Sequence, residues 1–168
     1  VKQQLKDVRF LRAVVFARTG RRGIYSKMTE LRWVFPVDGE NFDSAGNASE
    51  ATKLRLKQLG LPNELIRRVA VAMYEGEINM VIHANGGEAV VVVGKEEISV
   101  KLTDTGKGIA DIEKAMQAGF STADERIRTL GFGAGMGLPN MKRYSDAMHI
   151  ESYVGKGTTV TLKFRIES

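Results

Sequence analysis

Apolar residues in this chain recur with two periods, and the switch between them divides it into elements. LRWVFPV at positions 31–37 reads as a strand, with Pro36 directing it to a sheet edge because proline cannot donate to a ladder. Asn47-Ala48-Ser49-Glu50 has the shape of a capping box, with Asn47 as N-cap, and opens a helix that ends near Gly60. Pro62 suits the first turn of a longer helix carrying LIRRVAVAMYEGEINMVIHA, which Asn85-Gly86-Gly87 terminates. Two strands follow, EAVVVVG and EISVKLTD, joined around Gly94-Lys95. In the second, Ile98, Val100 and Leu102 alternate as one buried face requires. A short helix over 110–118, a polar glycine-rich stretch to Gly137, a helix through PNMKRYSD and two strands, HIESYV and TTVTLKFRI, turning at Gly155-Lys156-Gly157, complete the pattern. Helices interspersed among mostly hairpin-connected strands predict an α+β fold. The expected form is a two-layer α/β sandwich with a mixed, mostly antiparallel sheet and helices on one face.

With 168 residues, 43% of them hydrophobic, the chain has material for one core rather than two. Cysteine is absent, which excludes disulfides and thiolate metal sites and fits a reducing compartment. No apolar run approaches the roughly 20 residues that span a bilayer, and the basic N-terminus lacks a secretory signal's apolar core, so a cytoplasmic protein with no membrane partner is expected. The net charge of +5 is concentrated at one end. Residues 1–27 hold eight Lys or Arg against the single acid Asp7, so the rest of the chain is slightly acidic. That distribution argues against nucleic acid as the partner of the whole domain. Two segments are therefore expected: a basic, flexible N-terminal extension at 1–27 and one folded domain at 28–168.

Three stretches carry candidate chemistry. Glu75, Asn79 and His83 are each four residues apart on the long helix and stack along one face, either as an exposed polar row or as the wall of a cleft. Gly76 weakens the helix beside them. Asp104-Thr105-Gly106-Lys107-Gly108-Ile109 follows an alternating strand directly. Its carboxylate either caps a turn or lies at the bottom of a pocket, where it would accept a hydrogen bond from a ligand amino group. Finally GFGAGMGLPN, residues 131–140, places glycines at 131, 133, 135 and 137 immediately before a helix, where exposed N–H groups and the helix dipole favour an anion. The spacing is neither that of a P-loop nor that of a dinucleotide fold.

The order ExxxN on a helix, DxGxGI, GxGxGxGL and GxGTT resembles the GHKL (Bergerat-fold) ATP-binding domain shared by gyrase, Hsp90, histidine kinases and MutL. The chain looks most like the anti-sigma factor serine/threonine kinases, and its ending GMGLPNMKRYSDAMHIESYVGKGTTVTLKF resembles their switch-kinase branch. The resemblance implies that Asn79 ligates Mg²⁺ and Glu75 acts as base or water-orienter, with His83 approaching a phosphate. It implies that Asp104 reads the adenine amino group, supported by Thr158 or Thr159, while Gly106, Lys107, Gly108 and Ile109 form the adenine and ribose side. Gly131, Gly133, Gly135, Met136, Gly137 and Leu138 would form the hinge and phosphate-facing end of a lid. GFSTADERIRTL is the expected lid, and Arg126 and Arg128 either neutralise the γ-phosphate or are solvated charges; Lys107, Lys142 and Arg143 carry the same ambiguity. The implied cofactors are ATP and Mg²⁺. The implied partner is a STAS-type antagonist protein, with a sigma factor or phosphatase as others, and related kinases can dimerise. Two rival readings stay open: a non-catalytic ATP-gated protein-binding switch, and the catalytic portion of a histidine kinase.

Overall fold

The computed structural model describes residues 30–123, 125–129 and 132–167, with the side chains of Arg126 and Ile127 excepted. The basic segment 1–27 and Gly131 lie outside the described residues. Five strands, β1 (Leu31–Asp38), β2 (Gly86–Val93), β3 (Glu97–Thr103), β4 (Ala147–Tyr153) and β5 (Gly157–Arg165), form one sheet in the order β1-β2-β3-β5-β4. Every neighbouring pair is antiparallel, so the expected mixed sheet is antiparallel throughout the described strands. Pro36 lies on an edge strand, where its missing N–H costs no interior ladder bond.

Alternation along the strands sets one face against the helices. Ile98, Val100 and Leu102 on β3 and Val160, Leu162 and Phe164 on β5 are buried, while Glu97 and Lys101 face solvent. Covering that face are α1 (Asn47–Gln58), α2 (Asn63–Ala84) and α5 (Gly137–Tyr144), with two short helices, α3 (Ile112–Ala115) and α4 (Glu125–Thr129), in the connection between β3 and α5. The 22 residues of α2 make it the central beam, and Val69, Ala72 and Met73 in its middle are completely buried. Gly76 is there because α2 must approach the sheet closely. A Cβ at this position would run into the Leu102 side chain and come within 3.2 Å of Met141 Cε. The glycine that weakens the helix in isolation thus makes room for α5 and β3 to pack on it.

Several boundaries differ from the sequence expectation. Asn47 is the first helical residue of α1, not its cap. The N-cap is Gly46, in the left-handed region at φ 97°, and it makes no side-chain capping bond. The orphan N–H groups go instead to a distant residue: the Glu77 carboxylate on α2 accepts from the N–H groups of Gly46 (3.0 Å), Ala48 (3.1 Å) and Ser49 (2.6 Å). Pro62 is likewise the N-cap of α2 rather than part of its first turn. The helix expected over 110–118 contracts to four residues, started by Asp111, whose side chain accepts from the Lys114 N–H at 2.9 Å. At its other end α5 is fastened by Arg68 of α2, whose Nε donates to the Tyr144 carbonyl (3.0 Å) and Nη2 to Asp146 (2.7 Å).

Candidate functional site

The polar row on α2, the loop after β3, the start of β5 and the approach to α5 converge on one cavity of about 840 Å³. From α2 it takes Glu75, Asn79 and His83, so the row is a cleft wall and not a solvated face. From the loop after β3 come Asp104, Lys107, Gly108 and Ile109, and from β5 Thr158. The remaining side is Gly133, Gly135, Met136, Gly137 and Leu138 together with Phe120, Ser121 and Thr122 of the expected lid. Gly106 and Thr159 are not among the lining residues. Gly106 packs against Ala84 and the His83 carbonyl, at the C-terminal end of α2, and its N–H donates to Asp104 Oδ1 at 2.8 Å. Thr159 turns away towards Thr103, with 3.4 Å between the hydroxyls.

Pairing of β3 with β5 puts Asp104 beside Thr158. The Asp104 N–H donates to the Thr158 carbonyl (2.9 Å), and the Thr158 N–H donates back to Asp104 Oδ1 (3.2 Å). Two donors therefore hold Oδ1, and among the described residues none takes Oδ2, which is left for a ligand donor. The Thr158 hydroxyl is 2.8 Å from Ser152 Oγ, which also accepts from the Ile109 N–H (2.8 Å). Ser152 was not a sequence candidate. It lies on β4 in a register that a sequence without strand pairing does not reveal.

On the opposite wall, the first turn of α5 rests on α2. Asn140 Nδ2 donates to Glu75 Oε1 at 2.7 Å, and Asn79 Nδ2 is 3.9 Å from Met141 Sδ. A Cβ on Gly137 would sit 3.0 Å from both terminal atoms of Asn79. The N-cap of α5, Met136, makes no side-chain capping bond, so the first-turn N–H groups meet the cavity uncapped. Gly133 and Gly135 both have positive φ, at 79° and 71°, and the Gly135 carbonyl accepts from the Gly119 N–H at 3.0 Å, closing the lid's two ends on each other. His83 is held below its ordinary pKa, first by burial and then by the charge of Lys107, against the opposing pull of Asp104.

Other expected cations stand apart. Arg128 donates to the Ser121 carbonyl at 3.5 Å and lines no part of the cavity, while Lys142 and Arg143 are exposed. The Arg126 side chain lies outside the described residues. Among the described residues no group of three or more His, Cys, Asp or Glu could hold a metal, and no helix is long and apolar enough to cross a membrane.

A carboxylate at the end of a strand, a Glu and Asn row on the facing helix and an uncapped helix start after a glycine-rich loop thus meet around one cavity. The family model for histidine kinase-, DNA gyrase B-, and HSP90-like ATPases matches residues 43–168. Among curated relatives, the anti-sigma F factor of Caldanaerobacter subterraneus subsp. tengcongensis is 33% identical over 143 residues, covering 82% of this chain and 93% of that protein. The serine/threonine-protein kinase RsbT of Bacillus subtilis is 34% identical over 108 residues, covering 62% and 75%. A solved structure of the RsbU and RsbW domains of a Mycobacterium tuberculosis protein matches with a TM-score of 0.53 at 16% identity, over 81% of this chain and 32% of that one, a likeness of fold. The chain belongs to the histidine kinase-, DNA gyrase B- and HSP90-like ATPase family, in its anti-sigma factor kinase branch.

Proposed function

We propose that this protein is an ATP-dependent serine/threonine kinase of the anti-sigma regulatory type, which transfers the γ-phosphate of ATP to a hydroxyl of a STAS-type partner in a cytoplasmic partner-switching cascade. The observation that carries the reading is the meeting of Glu75 and Asn79 with the uncapped start of α5 across a cavity that has Asp104 on its other wall. A volume of about 840 Å³ suits a nucleotide. Residues 28–168 form the catalytic unit.

Asp104 Oδ2 accepts the adenine amino group, and the Thr158 hydroxyl, held by Ser152, supports the base. The phosphates lie along the N–H groups at Gly133, Gly135 and the start of α5, where the helix dipole favours negative charge. His83 lines the same cavity and offers a ring N–H to this anion. Mg²⁺ fits the donor set: the amide oxygen of Asn79 is a hard ligand without a protein donor among the described residues, and the lack of a carboxylate cage suits an ion held mostly by phosphate and water. When bound it neutralises phosphate charge. The acceptor hydroxyl oxygen bonds to the γ-phosphorus as the bond to the β,γ-bridging oxygen breaks, ADP leaves, and the hydroxyl proton passes to Glu75 Oε2.

Incubating the protein with Mg²⁺ and γ-labelled ATP beside a panel of purified STAS domains tests this. Label is expected on a serine or threonine of one of them, and Glu75→Gln is expected to slow transfer by about 10²- to 10⁴-fold while ADP affinity stays. Tight ATP binding with no labelled partner would instead identify a non-catalytic ATP-gated switch.

A further inference from the structure

The proton acceptor just described has a neighbour that lies just beyond GxGxGxGL and was given no role above. We infer that Asn140 is a positioning residue for phosphoryl transfer: its carboxamide holds one oxygen of Glu75 and ties that carboxylate to the phosphate-facing end of the lid. The inference rests on the reading of Glu75 as base and goes beyond it.

Three positions on one face of α5 lie against the polar row of α2. Gly137 packs on the Asn79 side chain, Asn140 bonds to Glu75, and Met141 fills the space beside Asn79. Their spacing of three and four residues puts them over successive turns, so α5 is in register with both functional side chains of α2 at once. The Asn140 Nδ2–H donates to Oε1 at 2.7 Å, at the short end for an amide N–H to a carboxyl oxygen. Among the described residues nothing else bonds to Glu75, so Oε2 alone is open to the acceptor hydroxyl. Without Asn140 the carboxylate would rotate about its terminal torsion, which has broad wells.

Placement on α5 gives the bond a second consequence. The helix starts at Gly137, directly after Gly133–Gly135, so whatever seats the phosphates on its N-terminus also seats Asn140. Glu75 is thereby tied to the element that receives the phosphates.

The test is a two-by-two set in the full chain: parent, Asn140→Asp, Glu75→Gln and the double variant, measured for kcat and KM of phosphate transfer from Mg-ATP, with water as acceptor where no partner is in hand, and for ADP affinity. Asn140→Asp keeps the shape of the side chain and exchanges its donor for an acceptor, and unchanged ADP affinity certifies the fold. The expected result is a fall in kcat of about 10- to 100-fold with KM and ADP affinity within about twofold, and no further fall when the change is made in Glu75→Gln. A kcat unchanged by Asn140→Asp, or an equal loss in both backgrounds, overturns the positioning role while leaving the base reading intact. If Glu75→Gln itself keeps full kcat, the base reading fails and takes this inference with it.

Discussion

At the scale of single residues, the same side-chain types do different work according to what buries them. His83 and His149 are the chain's two histidines. His149 is exposed on β4, whereas His83 lines the cavity, where burial and Lys107 disfavour its charged form. A histidine with a depressed folded pKa stabilises the fold above its unfolded value near 6.5, and that contribution is lost as pH falls through the lower folded value. The parent is therefore expected to lose stability relative to His83→Gln as pH drops from 7.5 to 5, read as converging urea midpoints. Parallel curves for the two proteins would show that the imidazole takes up its proton as easily folded as unfolded. The sequence placed His83 on the right helical face, because a spacing of four residues is visible without coordinates. It could not give the electrostatic setting, in which the charges of Lys107 and Asp104 arrive from beyond the end of β3.

Between elements, legibility followed the range of the interaction. The alternation of Ile98, Val100 and Leu102 marks a half-buried strand by itself, and the order of helices and strands came through with shifts of a few residues, except that the short α4 was not expected within the polar stretch before Gly137. The start of α1 did not, because its capping group is about thirty positions away on α2. Asn47 followed by Glu50 is a genuine local signal, overridden by a buried carboxylate that offers more acceptors than one asparagine oxygen. Glu77 is only 1% exposed, and desolvation raises its pKa against the pull of the Ala48, Ser49 and Gly46 N–H bonds. In sequence it is one more polar residue between Glu75 and Asn79. In space it points to the other side of α2 and fixes α1. Glu77→Gln puts an amide N–H₂ where backbone N–H groups converge, so it is expected to cost about 1–3 kcal/mol in chemical denaturation, with faster amide exchange confined to the first turn of α1. A loss under about 0.5 kcal/mol would mean that Ser49 Oγ, which donates to the Gly46 carbonyl at 2.9 Å, holds this junction unaided.

For the whole molecule, the cavity is where parts of the chain far apart in sequence are joined. Its two walls, the β3 and β5 ends on one side and α2 with the start of α5 on the other, are backed by the core. The rest of its border is lid, of which Ala123 alone is a buried apolar residue among those described between α3 and α5. The lid's ends meet through the Gly119–Gly135 bond, and Phe132 contacts Phe42 with ring centroids 6.2 Å apart. A segment anchored so lightly opens at low cost, so a nucleotide that bridges the walls should stabilise the protein through linkage and order the lid at the same time. At about 100 times its dissociation constant ADP adds about 2.7 kcal/mol, which for a chain of this size is a rise in Tm of about 5–10 °C. Amide exchange should slow at Gly119 and leave Leu162 and Phe164 in the core nearly unchanged. Asp104→Asn removes the carboxylate proposed to take the adenine amino group and should abolish the shift for ATP and ADP alike, whereas Asn79→Ala should keep the shift without Mg²⁺ and lose only the part that Mg²⁺ adds. A shift that survives Asp104→Asn unchanged would place the adenine elsewhere, and the two walls would then be joined by the phosphates alone.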